Sequence, residues 1–599
     1  MMGLLQKACE TYDAMAYRAG VYYKDEPEPL APVSHITTQV DIEITLNQDG
    51  AFCSAKDVSK EKLKIIIPVT EESAGRTSKA AAERPHPLCE KIKYLLPYNK
   101  VEYSCYVSQL FDWANSEYTH PKLQPILTYV RSGTILTDLS KSGIIELTSE
   151  GGPRDEKLMV CWVVNGLGEN LNGPCWTDRK LMDAFVDYNR AKQTERTDVS
   201  STLCMVSGTM EIPAGQHQKG VVPINGNAKL ISANDSSGFT YRGRFFEDWQ
   251  AATVGYTASQ KAHSALRWLI ANQGVFYGKR AFLCWNPQGI QVPKVKGPMG
   301  RKSGDIQRAV NPSQYQKQLR EALASWKTDL PESADVVIVA LDAATTGRLA
   351  VTYYNELLAS DFLERLYNWD NSCCWENYSY GIQSPTLFQI VNLAFGTLRN
   401  GEIKADERFL SQQMQRLVAC RVDRVPFPLD IERALVEKAS HLLIYEGENR
   451  KKMLFTACAA IRKYHYDHSK EEWGMALDKN CSDRSYLFGR LLAIADAVEN
   501  SAYTGEDRRE TNALRMQKAF ALRPMATWRV LEEKLAPYYK QLKPGLRQYY
   551  RKLTQEIVDK LSSSDSALNQ KLDDIYLLGY YHQRAYRTEK TDKPETEEE

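Results

Sequence analysis

The sequence predicts an α+β protein: a mixed α/β N-terminal region with short antiparallel strands, then a mostly helical region ending in a C-terminal helical bundle. Three observations carry this. Strand-like alternation is confined to the first 356 residues, as in Val40–Leu46 (Val-Asp-Ile-Glu-Ile-Thr-Leu). From Leu357 onward the apolar residues recur almost everywhere at helical spacing. The last stretch, Met475 to Tyr586, carries several such stripes with short connections, which is the pattern of a small bundle. The expected division is therefore 1–356, 357–474 as a helical connecting region, and 475–599 as the bundle.

From the N-terminus, residues 4–17 form an amphipathic first helix. The strand at Val40–Leu46 meets a turn signal at Asp49-Gly50, and Lys62–Val69 reads as the returning strand of a hairpin or meander. Ser73–Pro87 is a loop of small residues. Leu158–Val164 is a buried strand and Asp178–Lys192 a helix. Residues 204–249 are rich in Gly, Asn and Ser, which suits short strands between turns. Thr257–Asn272 is a helix with Ala258, Ala262, Ala265, Leu266 and Leu269 inward. Ala281–Trp285 is a strand, and Pro293–Asn311 is a Gly/Pro-rich basic loop with the look of a mobile segment. Val336–Leu341 is a continuous apolar strand that pairs with Leu349–Tyr354.

Composition bounds the function. A chain of 599 residues with 43% hydrophobic and 25% charged residues can bury several cores. No apolar run approaches the length of a membrane span. The N-terminus turns polar too soon for a secretory signal, and 13 cysteines occur without a C-x-x-C pair. That combination fits reduced thiols in a cytoplasmic protein.

Catalytic signatures are absent from the sequence. There is no phosphate-binding G-x-x-x-x-G-K-[ST], and no G-x-G-x-x-G, G-x-S-x-G or H-E-x-x-H. His465-Tyr-Asp467-His468 comes nearest to a metal set, but nothing nearby completes it. Carboxylates do not cluster as in a nuclease. The chain reads as a binder that needs neither metal nor cofactor.

Charge is segregated. The whole chain is nearly neutral, with 76 Lys/Arg against 75 Asp/Glu, whereas residues 511–560 hold 11 Lys/Arg and 4 Asp/Glu. Tyr538, Tyr539, Tyr549 and Tyr550 are interleaved with Lys540, Lys543, Arg547, Arg551 and Lys552. Basic residues gather phosphates and aromatic faces stack unpaired bases. The same pattern also fits a solvated helix face with half-buried tyrosines.

Six segments in register carry a resemblance. They are the Leu4–Tyr12 helix, the Arg76-Thr77-Ser78 loop before Leu88-Cys89, and the Asn225–Asn234 section. The strand pair around Leu341-Asp-Ala-Ala-Thr-Thr-Gly-Arg348, the Tyr486-Leu-Phe-Gly-Arg-Leu491 helix and the closing Leu578-Gly-Tyr-Tyr-His-Gln-Arg584 complete the set. Over almost the whole chain this resembles the large subunit of the type I-C CRISPR Cascade complex.

The resemblance implies a non-catalytic subunit of an RNA-guided surveillance complex. Its partners would be the backbone and guide-RNA-capping subunits, target duplex DNA, the displaced single strand and the helicase-nuclease. It implies recognition of the protospacer-adjacent motif by residues 1–356, help with unwinding, and retention of the displaced strand. A separate small subunit would arise from an internal start in the same gene, for which Met475 is well placed, with Met453 and Met516 as alternatives. Base pairing with the guide carries the long readout, so a small base-reading element suffices. Arg76, Thr77, Ser78, Lys79, Asn225, Asn227 and Asn234 are its candidates. Arg84, Lys229, Lys294, Lys296, Arg301 and Lys302 are candidates for phosphate contacts, which position without specifying. Lys540, Lys543, Arg547, Arg551 and Lys552 are candidates for the displaced strand. The Asn and Ser residues also suit plain turn chemistry. A nuclease or RNA-processing enzyme of the same system, and a purely structural scaffold, are the alternatives.

Overall fold

The computed structural model describes residues 2–591 apart from 77–81, 150, 196–199, 233–244, 247, 300–308, 344, 346, 378–380, 504–508 and 562–566. The chain packs as two compact units, Met1–Gln291 with Asp335–Glu356, and Val292–Ala334 with Leu357–Glu599.

The first unit holds two cores. One is built on the sheet β3-β2-β6-β5, comprising β2 (Ile42–Leu46), β3 (Phe52–Asp57), β5 (Glu90–Lys91) and β6 (Met159–Val164), with β7 (Gly173–Pro174) on β6. β2 and β3 form an antiparallel hairpin, and β6 joins β2 in parallel. Asn47 shapes the hairpin turn: its side-chain oxygen accepts from the backbone N–H of Asp49 (3.0 Å) and Ala51 (2.8 Å). Gly50 follows at φ +83°, where a β-carbon would be strained. All six residues of β6 are buried, as its unbroken apolar run requires. Helices α3 (Lys100–Ala114), α4 (Leu123–Ser132), α5 (Ile135–Lys141) and α6 (Arg179–Thr194) supply the rest of this core through Leu110, Trp113, Ile126, Leu139 and Phe185. Asp178 caps α6 by accepting from Leu181 N.

The pairing of Lys62–Val69 with Val40–Leu46 is corrected. β4 (Lys64–Pro68) pairs antiparallel with β1 (His35–Gln39) in a separate ribbon, and β3 takes the place beside β2. None of β3's six residues is fully buried, so it lacks the apolar alternation that marks a strand in sequence.

The second core lies on the sheet β10-β11-β12-β13, with β10 (Val275–Tyr277), β11 (Arg280–Trp285), β12 (Asp335–Asp342) and β13 (Ala350–Leu358). α1 (Met2–Ala14) and α7 (Tyr256–Gln273) contribute Leu4, Leu5, Ala8, Leu266 and Ile270 to this core, against Leu283, Val337 and Val339 of the sheet. The short strands β8 (Thr202–Leu203) and β9 (Met210–Glu211) pair in the Gly/Asn-rich section. α2 (Glu71–Gly75) begins at a capping box between Thr70 and Ser73.

In the second unit, α8 (Pro312–Asp329) packs on α9 (Ala359–Ser372). This corrects the assignment of residues 292–334 to the N-terminal region. The apolar face of α8, Tyr315 and Leu319, is covered by Cys374 and Ile382, and Tyr315 donates to Asp370 O (3.2 Å). The second unit is also less uniformly helical than its sequence suggests. Two hairpins, β14 (Trp375–Asn377) with β15 (Gly381–Gln383) and β16 (Thr397–Arg399) with β17 (Glu402–Lys404), lie among α10 (Leu387–Phe395), α11 (Glu407–Val422), α12 (Leu429–Ala439) and α13 (Gly447–His468).

The bundle comprises α14 (Arg484–Ala502), α15 (Asn512–Arg515), α16 (Gln517–Leu522), α17 (Pro524–Gln541), α18 (Pro544–Leu561) and α19 (Tyr576–Thr591). Its centre is the α14–α19 seam. A Cβ on Gly489 would collide with the Tyr576 carbonyl oxygen, and one on Gly579 with that of Tyr486. Two glycines thus let the backbones meet. The seam is closed by hydrogen bonds from Arg490 Nε to Gln583 Oε1 (3.0 Å) and from Tyr580 OH to Asp496 (3.1 Å), with Tyr486 OH and His582 Nδ1 in contact at 2.9 Å. His582 is buried, stacks on Trp375 at 5.0 Å, and is pushed down to about 3 by burial. It is a packing residue. Among the described residues no helix is long and apolar enough to cross a membrane.

Candidate nucleic-acid interface

The first candidate element is assembled from two segments of the first unit that are distant in sequence. Arg76 leaves the end of α2 and turns back onto Glu90, which is fully buried. Its Nη1 contacts Glu90 Oε2, its Nη2 donates to Glu90 Oε1 (3.0 Å), and Nη1 also reaches Arg84 O (2.8 Å). Glu90 accepts further from the N–H of His86 and Lys91 (2.8 Å each). Arg76 also lies over the Tyr94 ring at 5.4 Å. Its guanidinium therefore clamps Arg84 and Glu90 to the end of α2, with its side chain only 10% exposed. Thr77, Ser78 and Lys79 lie outside the described residues, as do Asn234, Arg301 and Lys302. Arg84 is half-buried and lends its carbonyl to the clamp.

The second segment is the loop Lys219–Lys229. Its ends meet in an antiparallel bridge, and Lys229 continues in parallel beside Arg348. Gly220, at φ +75°, donates to Ala228 O (3.2 Å). At the tip, Asn225 spends its side-chain amide on Ala343 O and Thr345 O, and its carbonyl accepts from Ala228 N (2.9 Å). It ties the loop to the connection after β12. Asn227 is the exposed member of the pair. The two asparagines thus hold different places: one is a strut and the other is presented to solvent.

Beneath the tip, cations crowd. Lys219 is pulled below the usual lysine range by burial, then by Lys229, Arg76 and Lys91. Lys229 is lowered by burial, and Lys91 by burial and then by Arg76. Arg267 holds this arrangement in place by donating to Lys219 O (2.5 Å). Half-buried lysines pressed together away from bulk water gain by meeting phosphate oxygens. Lys91 and Lys219 escape sequence reasoning. Each is unremarkable in its own segment, and the signal exists only once residues 71–91 and 216–229 are brought together.

Lys294 and Lys296, in the second unit, are exposed. The backbone that carries them is anchored, which corrects the picture of a mobile segment for the described part of that loop. Arg421 Nη1 donates to Val295 O (2.9 Å), Leu387 N to Lys296 O (3.1 Å), and Met299 N to Asp370 (2.7 Å). Arg421 and Asp370 form a fully buried ion pair at 3.0 Å.

On the bundle, Lys540, Lys543, Arg551 and Lys552 are exposed on α17, α18 and their junction. Arg547 differs: its Nη2 donates to Lys540 O (3.0 Å) and Leu542 O (3.1 Å), capping the end of α17. The tyrosines are more buried than a stacking platform requires. Tyr550 is 2% exposed, while Tyr538, Tyr539 and Tyr549 are half-buried. Tyr538 OH accepts from Arg509 (2.9 Å), and Arg551 lies over Tyr539 at 5.6 Å. The bundle face offers exposed cations rather than open aromatic rings. Met475 sits in the non-helical stretch between α13 and α14, half-buried, its sulfur 3.9 Å from Cys374 Sγ.

Among the described residues no group of three or more His, Cys, Asp or Glu is arranged to hold a metal. His465 pairs instead with Asp574 (2.9 Å), and His468 Nε2 lies 3.0 Å from Phe427 O. No curated protein matches the chain. The family model for the CRISPR-associated protein (Cas_Csd1) matches residues 10–588. With nearly every element inside that match, the chain belongs to the Cas_Csd1 family of CRISPR-associated proteins, the family to which the resemblance to the type I-C Cascade large subunit points.

Proposed function

We propose that this Cascade component is the non-catalytic large subunit of a type I-C guide-RNA complex. In this reading it recognises the protospacer-adjacent motif in duplex DNA, aids unwinding, retains the displaced strand and helps recruit the helicase-nuclease. The observation that carries the reading is the loop cluster of the first unit. An exposed amide tip, Asn227, is borne on the same loop as Lys219 and Lys229 and is braced by Asn225. Amide side chains discriminate base edges, while lysines beside them fix the register on phosphates. Asn225 is then a positioning residue and Asn227 a reader. Lys91, Lys219 and Lys229 supply backbone contacts, with Lys294 and Lys296 as further ones. Lys540, Lys543, Arg551 and Lys552 meet the displaced strand without reading it.

The small subunit of the same gene begins at Met475. A chain starting there would contain α14–α19 whole, including the glycine seam. A C-terminal tag should reveal that product, and Met475→Leu should remove it.

The test of the main reading is a gel shift of the reconstituted guide-RNA complex on target duplex. Correct and scrambled flanking sequence are compared, with this subunit present or omitted. Tight binding that needs both the subunit and the correct flank supports the reading. Binding indifferent to the subunit makes the chain a scaffold.

A further inference from the structure

We infer that a cleft in the second unit, between α12 and the bundle, takes one unstacked nucleobase of a single strand, with the flanking phosphates on a rim of Arg433, Lys518 and Lys571. The inference rests on the nucleic-acid reading above and deepens it, because it names a site for the strand away from the basic face of α17 and α18.

The cleft has a volume of about 620 Å³, within the range of roughly 300–1,000 Å³ usual for small-ligand sites. Its floor is Glu432 of α12, 3% exposed, whose Oε1 has no hydrogen-bond partner among the described residues. A buried acceptor left without a partner is costly and points to a ligand or to water. Beside it stands Asp574, already engaged by His465 at 2.9 and 3.1 Å. Tyr464, stacked on His468 at 4.3 Å, forms a fixed aromatic wall. Leu429 and Leu522 line the cleft and are 37% and 49% exposed. The rim cations are all exposed, and among the described residues none is in an ion pair.

The chemistry selects the ligand. Burial, followed by the neighbouring Asp574 carboxylate and the hydrogen bond to it, pushes Glu432 up to about 8. That hydrogen bond takes the carboxyl proton, so what Glu432 offers a ligand is an acceptor. The Watson–Crick edge of every base presents an N–H donor, so Glu432 can accept from any of the four. An aromatic wall and apolar lips suit the base faces, and the rim suits phosphate. A flat, polar-edged ring with an attached anion fits this cleft. A purely apolar ligand would leave Glu432 Oε1 unpartnered, and a free anion would meet the acidic floor.

The experiment uses the full-length protein and a short labelled single-stranded DNA, read by fluorescence anisotropy. A second strand of equal length carries abasic sites throughout. Glu432→Leu should weaken the base-bearing strand about tenfold and remove the difference between the two strands. Glu432→Gln, which keeps a donor for Asp574 and an acceptor for the base, should restore that difference. Lys518→Glu with Lys571→Glu, both on the surface, should weaken both strands alike. If these variants bind like the parent while Arg551→Glu with Lys552→Glu loses the strand, the cleft is not a site and the function proposed above stands. If the parent protein prefers neither strand over the other, the base-pocket inference is overturned. If it binds neither strand at low salt, the displaced-strand role falls with it.

Discussion

The loop cluster of the first unit and the helical bundle of the second both present cations, but they are supported differently. In the loop cluster, the supports and the presented groups share the same chemistry. Arg76 on Glu90, Asn225 on Ala343 and Thr345, and the crowded Lys91, Lys219 and Lys229 are all polar. In the bundle the two jobs are separated. The Gly489–Gly579 seam joins α14 to α19, while the exposed cations stand on α17 and α18. Arg547 is the exception, a cation of the basic face that also caps a helix. A cluster built from its own supports cannot be altered without loosening it; a face laid over an independent seam can.

Acid should separate the two units most strongly. Burial lowers His35 to about 4, His217 to about 3 and His263 to about 4. The unfolded chain therefore binds more protons than the folded one between about pH 6.5 and 4. The stability that these residues contribute is present above about 6.5 and is lost as the pH falls through that window, by up to ~1.4 kcal/mol per pH unit for each histidine. In the second unit His582, lowered to about 3 by burial, shares this sign but stands against four such histidines in the first unit once His86 is counted, and His465 has the opposite sign. Burial opposes its charge, but the hydrogen bond to Asp574 wins and raises it, so its contribution is full below 6.5 and fades as the pH rises past its folded value. Amide exchange at pH 7 and pH 5 should show the first unit opening before the second. Simultaneous opening would remove this distinction.

Glu90→Gln strands the Arg76 guanidinium. Urea unfolding should show a loss of about 3–5 kcal/mol, and duplex affinity should fall in the same variant. Gly579→Ala should cost the bundle about 3 kcal/mol by forced overpacking, with the affinity of the folded fraction unchanged. If Gly579→Ala weakened strand binding at full folding, the separation of seam from face would fail.

Smaller effects refine the contrast. Asn227→Ala should reduce discrimination between correct and scrambled flanks by about 1–3 kcal/mol without changing the midpoint of unfolding. Asn225→Ala should lower that midpoint as well. Arg551→Glu with Lys552→Glu should leave flank preference intact and flatten the salt dependence of single-strand binding, by about 0.7 in slope for each phosphate that is no longer neutralised.

The elements legible in the sequence were those with a local signal. The buried run of β6 and the period of α7 needed no partner to be seen. Strand pairing was legible for the sequence neighbours β12 and β13 but not across longer separations. β4 finds β1 rather than β2, and nothing in Lys64–Pro68 states that choice. The candidate site was legible as a set of segments but not as roles. A clamped arginine and an exposed one read alike, so Arg76, Asn225 and Arg547 could not be told from Asn227, Lys540 or Lys552. Lys91 and Lys219 matter because the fold makes them neighbours.

The excursion of residues 292–334 into the second unit has a bearing on synthesis. β11 leaves the ribosome long before its partner β12, because α8 is made in between. α8 in turn must wait for α9, which follows β13. The nascent chain thus holds an unpaired strand edge and an uncovered helix face at the same time. A stall or truncation between 292 and 356 would leave both units unfinished.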